Sequence, residues 1–360
     1  MRVIAPQPGI LDIALYQGGA SHIDGVTDVL KLSSNENPFG PSGPATEAVQ
    51  AAAVNLHRYP SIDHAPVRAA IADVHGLDPD RIIMGVGSDE ILSLLALCYA
   101  GEGDEVLYTE HGFSIYPIVA RAAGATPVVA QEKDRVVDVD AVLGAITGET
   151  RLIYIANPAN PTGTMLPMSE LARLADGVPE SCLLVLDGAY AEFVDGYDGG
   201  ASLVEARNNV VMTRTFSKIY GLGGLRVGWG YAPRAIIDVL NRVRGPFNMS
   251  LLALAGAEAA VRDTDFVDTC RRVNTEERAR LTGGLRQMGI ACDDSFANFV
   301  LARFGDEAEA TAAEAYFKTQ GILVRLVKGY GFPEALRITV GRPEDVTRVL
   351  DAMAEFRGMV

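Results

Sequence analysis

Short runs of Val, Ile and Leu recur through the first two thirds of the chain, each followed by a stretch of helical composition. The runs "RIIMGVG", "DEVLYTE", "TPVVAQ", "RLIYIAN", "CLLVLDG", "NVVMTRT" and "LRVGWGY" read as strands, and "SDEILSLLALCYAG", "FSIYPIVARAAG", "DVDAVLGAIT" and "MSELARLADG" read as intervening helices. Strands that are apolar on both faces and alternate with helices predict an α/β fold with a mostly parallel sheet covered on both sides. Before them, "PATEAVQAAAVNL" and "SIDHAPVRAAIADVHG" have helical character, the second ending at Gly76, which suits a helix C-terminus. Residues 1 to about 35 read as an irregular arm, and the Asn, Pro and Gly cluster of "VLKLSSNENPFGPSGPA" reads as a long loop.

From about residue 233 the pattern changes to longer helices, "RAIIDVLNRVRG" and a long helical run from 251 to 289. These are followed by "NFVLARF", a helix around 306–319, "GILVRLV", "ALRITVG" and "PEDVTRVLDAMAEF". That order predicts a second, smaller α+β unit. The expected organisation is an N-terminal arm over 1–35 packing near the functional site, a large α/β domain over 36–244, and a small C-terminal α+β domain over 245–360.

Composition narrows the function. The 360 residues are 48% hydrophobic and 21% charged, as in ordinary globular proteins, and the formal net charge is −15. An acidic chain has no basic field for a nucleic-acid backbone or an anionic membrane surface, so neither is expected as a partner. Any bound anion needs a local device. Cys98, Cys182, Cys270 and Cys292 are scattered without metal-ligand spacing, which predicts reduced thiols in a cytoplasmic protein and no metal site. "MRVIAPQPGILDIALYQGG" lacks the basic and apolar regions of a signal peptide, and the longest apolar run is too short to span a bilayer.

In parallel sheets the chemistry gathers at the carboxyl ends of the strands. "RIIMGVG" runs into Ser88 and Asp89, which open a helix either as a plain capped start, with Ser88 as N-cap, or as a phosphate cradle. "RLIYIAN" runs into "PANPTG", a turn that carries Asn160. "CLLVLD" ends in Asp187, three residues before Tyr190; this acid either caps the next helix or faces a ligand. "NVVMTRT" ends in Thr215, Ser217 and Lys218, with Arg226 following after glycines. As independent features each has a bland reading. Together they supply what pyridoxal 5′-phosphate requires: a lysine amine, an acid for the ring nitrogen and an anion site. A P-loop and a Rossmann GxGxxG are both absent.

In order and spacing, "SNENPFGPS", "RYP", "GSDEIL", "NPANPTG", "LDGAYAEF", "RTFSKIYGLGGLRVGW", "RGPFN", "ANFVL" and "LRITVG" resemble the histidinol-phosphate aminotransferases, of the class-II group of fold-type-I pyridoxal-phosphate enzymes. The resemblance runs from about Tyr16 to about Asp345. It implies a fold-type-I homodimer that uses pyridoxal 5′-phosphate to interconvert histidinol phosphate and 2-oxoglutarate with imidazole acetol phosphate and glutamate, in histidine biosynthesis. It further implies that Lys218 bonds to the cofactor and moves the proton, that Asp187 pairs with the ring nitrogen, and that Asn160 and Tyr190 bond the ring oxygen. Phe113 would stack on the ring. Ser88, Asp89 through its backbone, Thr215, Ser217 and Arg226 would hold the phosphate, with Tyr59 arriving from the partner subunit. Tyr16, Asn298, Arg325 and Arg337 would bind substrate. Ala159 and Gly188 depart from the family's usual "NPNNPTG" and "DEAY", and Phe113 stands where many relatives have tyrosine. Two alternative activities share these motifs, aromatic amino-acid transamination and threonine-phosphate decarboxylation. A non-catalytic regulatory module that keeps the cofactor is a reading from a different class.

Overall fold

The computed structural model describes residues 4–16 and 18–359. Its centre is a seven-stranded sheet of β1 (Ile82–Gly85), β2 (Glu105–Thr109), β3 (Thr126–Ala130), β4 (Thr150–Ala156), β5 (Leu183–Asp187), β6 (Val210–Thr215) and β7 (Gly228–Tyr231), in the spatial order β1-β7-β6-β5-β4-β2-β3. All neighbours run parallel except β7, which is antiparallel to both β1 and β6. Successive side chains of a strand point to opposite faces, so each apolar run feeds two cores. Leu184, Leu186, Val210, Met212, Ile153 and Ile155 fill one, while Val185, Val211, Leu152 and Tyr154 fill the other. Helices α3 (Ser88–Tyr99), α4 (Ile115–Ala122) and α8 (Arg234–Val243) cover the second face. The first face is covered by α1 (Gly43–Ala52), α2 (Ala65–His75), α6 (Met168–Gly177) and α9 (Leu251–Arg262).

The long helical run of 251–289 is interrupted. Asp263 leaves helical geometry (φ −85°, ψ 69°), and its carboxylate accepts from Phe266 N at 3.2 Å, ending α9 and capping α10 (Thr264–Gln287). Beyond the break α10 runs from one core to another, with its Val267 and Cys270 still in the core that α9 packs into. Ala253, Ala257 and Ala260 of α9 pack beside α1 and α2, on the C-terminal side of residue 244, while Leu281 and Leu285 of α10 join a separate core. That second core lies on a four-stranded antiparallel sheet built from β8 (Ala291–Cys292), β9 (Phe299–Arg303), β10 (Arg325–Val327) and β11 (Phe332–Thr339), in the order β8-β9-β11-β10.

One part of the arm expected to be irregular is ordered by pairing. Leu30–Lys31 runs parallel to Ile322–Leu323, with Leu32 N donating to Leu323 O at 2.7 Å and Thr339 N donating to Leu32 O at 3.0 Å. "GILVRLV" is therefore split between this pair and β10. The pairing sets residues 33–35 where the two sheets face each other.

Gly228 fixes how closely β7 approaches the start of α3. A Cβ there would lie 2.2 Å from Ser88 N and 2.4 Å from the Gly87 carbonyl carbon, and backbone cannot retreat as a flexible side chain can. Gly228→Ala is expected to lower stability by about 1–3 kcal/mol, the usual cost of overpacking. Denaturant unfolding measures this, and an unchanged midpoint would show that the helix start yields freely.

Candidate active site

The carboxyl ends of β4, β5 and β6 and the start of α3 converge on one cleft, and the four-stranded sheet closes its far side. Ser88, Asp89, Phe113, Asn160, Asp187 and Tyr190 line it, with Thr215, Ser217, Lys218 and Arg226 from the segment after β6, and Tyr16, Arg325 and Arg337 opposite. Two of the expected residues lie elsewhere. Tyr59 is 80% exposed and stacks on Phe247 with ring centroids 4.5 Å apart, away from the cleft of its own chain. Asn298 is buried behind the cleft wall, its Nδ2 donating to Asn35 O at 3.0 Å.

Asp187 is 3% exposed at the end of an entirely apolar strand. Tyr116 Oη donates to Oδ2 at 2.8 Å and Thr213 Oγ1 donates to Oδ1 at 3.3 Å. Burial raises its pKa to about 6, and the Tyr116 hydrogen bond pulls it back only in part. The carboxylate caps no helix: the short turn Ala191–Phe193 that follows has no side-chain cap. A buried carboxylate held by two neutral hydroxyls is suited to a cation arriving from the cleft. Tyr116, on the buried face of α4 and stacked 5.0 Å from Tyr154, is a functional neighbour that sequence reading missed. In "FSIYPIV" it looks like one more core aromatic.

Lys218 is half-buried, with Nζ 5.7 Å from the centroid of the Tyr190 ring. Burial, with Arg337 adding to it, lowers its pKa to about 8, so a neutral amine is accessible near neutral pH. Its backbone is held by a tight turn in which Gly221 N donates to Lys218 O at 3.0 Å and Phe216 N donates to Val227 O at 3.0 Å.

An anion cradle lies beside it. The helix α3 begins at Ser88, with Gly87 (φ 78°) as N-cap and no side-chain cap, so the expected Ser88 cap is replaced by free backbone N–H groups and a hydroxyl not engaged in capping. Arg226 stands over this helix start in a left-handed conformation (φ 55°), donating to Ser217 Oγ at 3.2 Å and to Asp89 Oδ2 at 3.3 Å. A Cβ on Gly87 would come within 2.7 Å of the Arg226 guanidinium. Helix N–H groups, hydroxyls and a guanidinium gathered at one point are suited to an anion such as a phosphate.

Across the cleft, Arg337 is buried. It donates from one Nη to Asn160 Oδ1 at 2.5 Å and from the other to Ser33 O at 3.1 Å, while its Nε has no partner among the described residues. Asn160 Oδ1 is thereby occupied, and its Nδ2 remains as a donor. Arg325 sits 5.9 Å from the Tyr16 ring centroid. Phe113 meets Tyr116 edge-on at 5.9 Å and turns toward the cleft. At Gly188 a Cβ would approach Thr213 O to 3.1 Å, so the departure from the usual acid fits a tight crossing of backbone.

A protein with this arrangement can hold an aromatic ring bearing both a phosphate and a basic nitrogen. The profile described as aminotransferase class I and II matches residues 27–353. The chain is 69% identical over 359 residues to the histidinol-phosphate aminotransferase of Roseobacter denitrificans, covering 100% of both proteins. It is 67% identical over 350 residues to that of a Jannaschia species, covering 97% of each. Among solved structures, the histidinol-phosphate aminotransferase from Sinorhizobium meliloti in complex with pyridoxal-5′-phosphate superimposes with a TM-score of 0.90 at 25% identity, covering 99% of each chain.

The Asp187 environment has a measurable signature. Its folded value of about 6 lies above the ordinary 3.8, so the associated stability is full below about pH 4 and is lost as pH rises through 6. Asp187→Asn should therefore stabilise the ligand-free protein above pH 6, by up to about 3 kcal/mol, with the gain vanishing below about pH 4. Unfolding midpoints measured across that range test it; a gain independent of pH would refute the charge-burial explanation.

Proposed function

The chain belongs to the class I and II aminotransferases, and we propose that it transfers an amino group from glutamate to imidazole acetol phosphate, forming histidinol phosphate and 2-oxoglutarate in histidine biosynthesis. The observation that carries the chemistry is the meeting of Lys218 and Asp187 in one cleft beside the anion cradle. The substrate reading is supported by relatives 69% and 67% identical over essentially the whole chain, both named for histidinol phosphate.

The residues present fit pyridoxal 5′-phosphate. Its phosphate would be held by the Ser88 and Asp89 backbone N–H groups, by the Thr215 and Ser217 hydroxyls and by Arg226. Its ring nitrogen would face Asp187, whose buried carboxylate gains a cationic partner, and its ring oxygen would face Asn160 Nδ2 and the Tyr190 hydroxyl. Phe113 would cover the ring and Lys218 would attach it. When bound, the cofactor supplies an electron sink that makes the hydrogen on the amine-bearing carbon of the substrate removable.

Lys218 Nζ then takes that proton and returns it to the adjoining position, a task that requires a neutral amine. Its pKa, lowered to about 8, brings the neutral form within reach of near-neutral pH. Asp187 would pair with the ring nitrogen and favour its protonated form. Arg337, Arg325 and Tyr16 orient the anionic end of each substrate. A guanidinium takes carboxylate and phosphate in the same bidentate way, so glutamate and the phosphate substrate share one cleft in alternate half-reactions.

A two-fold homodimer is part of this reading. Tyr59 and Phe247 stack at the surface, and Val54, Leu56 and Ile62, close by in the chain, are also exposed, apolar side chains suited to contact with a second copy. Pairing of this kind would carry Tyr59 to the partner's phosphate. We further assign the seven-stranded sheet to cofactor binding, the four-stranded sheet to the substrate side, and the protein to the cytoplasm. Among the described residues, no helix is long and apolar enough to cross a membrane.

Two measurements test the proposal. Lys218→Ala should lose transamination by at least about 10⁴-fold while the protein stays folded, and retained turnover would overturn the role of Lys218. Steady-state kinetics should give a higher kcat/KM for histidinol phosphate than for phenylalanine, and the reverse order would make this an aromatic aminotransferase.

A further inference from the structure

Asn35 is 1% exposed and lies where the two sheets meet, in a left-handed conformation (φ 56°) that asparagine tolerates better than most residues. All its polar groups are engaged. Its backbone N donates to Thr339 Oγ1 at 3.0 Å, and the Thr339 hydroxyl donates back to Asn35 Oδ1 at 3.2 Å. Asn35 O accepts from Asn298 Nδ2, and Asn35 Nδ2 donates to Tyr190 Oη at 2.9 Å. This pattern orients the side-chain amide. Thr339 Oγ1 already accepts a backbone N–H, so its own hydrogen goes to the Asn35 carbonyl oxygen, which leaves the NH₂ group for the phenol.

A phenol that accepts an N–H on its oxygen keeps its own hydrogen for another acceptor. Tyr190 is buried in the cleft wall, with its ring beneath Lys218 Nζ. We propose that Asn35 is a positioning residue that holds the Tyr190 hydroxyl as a hydrogen-bond donor aimed into the cleft, and that it ties this orientation to the strand carrying Arg337. The tie is covalently short. Thr339, which orients Asn35, is two residues from Arg337 on β11, and Arg337 itself donates to Ser33 O, two residues from Asn35. A displacement of Arg337 by a substrate anion is thus transmitted to the phenol.

The acceptor for the Tyr190 hydrogen is the ring oxygen of the cofactor, so this inference rests on the proposed function. A donor on that oxygen stabilises its anionic form, and loss of the donor makes the cofactor chromophore harder to deprotonate. The test is a pH titration of the visible absorbance of the holoenzyme, for wild type, Asn35→Gly, Tyr190→Phe and the double variant. Glycine adopts the left-handed backbone and removes only the side chain. Asn35→Asp, which keeps an acceptor for Thr339 and lacks the N–H donor, is titrated alongside as a second variant. The titration midpoint is expected to rise by about one pH unit in both Asn35 variants and at least as far in Tyr190→Phe, with no further rise in the double variant. A midpoint in the Asn35 variants equal to wild type, or shifts that add in the double variant, would overturn the proposal. A wild-type protein with no visible band on adding pyridoxal 5′-phosphate would instead overturn the functional reading on which it rests.

Discussion

The site depends on a carboxylate placed where it is costly to keep charged. Asp187 ends a strand buried on both faces, and its hydrogen-bond donors, the Tyr116 and Thr213 hydroxyls and the Ala189 backbone, are all neutral. Desolvation therefore dominates and raises its pKa. A protonated ring nitrogen seated against it would relieve that penalty. The same burial makes the carboxylate an effective partner, because the surrounding low dielectric strengthens its attraction for a cation.

Lysine and arginine answer this acid from the segment that follows β6. Burial and the nearby Arg337 bring the Lys218 pKa down to about 8, whereas Arg226 lies at the exposed mouth. In a chain of net charge −15, the proposed phosphate site would be assembled from one guanidinium, a few hydroxyls and the first N–H groups of α3. Gly87 and Gly228 let these groups converge, because side chains at either position would collide with the guanidinium or the helix backbone.

The two sheets are joined at the cleft by a polar seam. Arg337 bonds to Asn160 and Ser33, and Asn35 bonds to Thr339, Asn298 and Tyr190. Groups that would bind substrate are thereby connected to groups that would touch the cofactor. Buried networks of this kind hold geometry firmly, because each unmade hydrogen bond leaves a desolvated polar group.

The order of strands and helices around the central sheet, and the set of strand ends bearing Asp187, Asn160 and Lys218, were legible in the sequence. Period-two burial, apolar runs of strand length and local turn chemistry leave their marks on neighbouring residues. Other features were not legible. The antiparallel course of β7 and the pairing of Leu30–Lys31 with Ile322–Leu323 depend on backbone partners distant in the chain, while the break at Asp263 and the Ser88 position inside the helix turn on local cap geometry that residue types alone left open. Tyr116 and Asn35 were likewise invisible as site residues, since one reads as a core aromatic and the other as a loop asparagine. The sequence by itself determined which chemical groups are present and which strand ends carry them. Only the tertiary structure decided which of those groups are desolvated, and burial is what shifts the pKa values of Asp187 and Lys218.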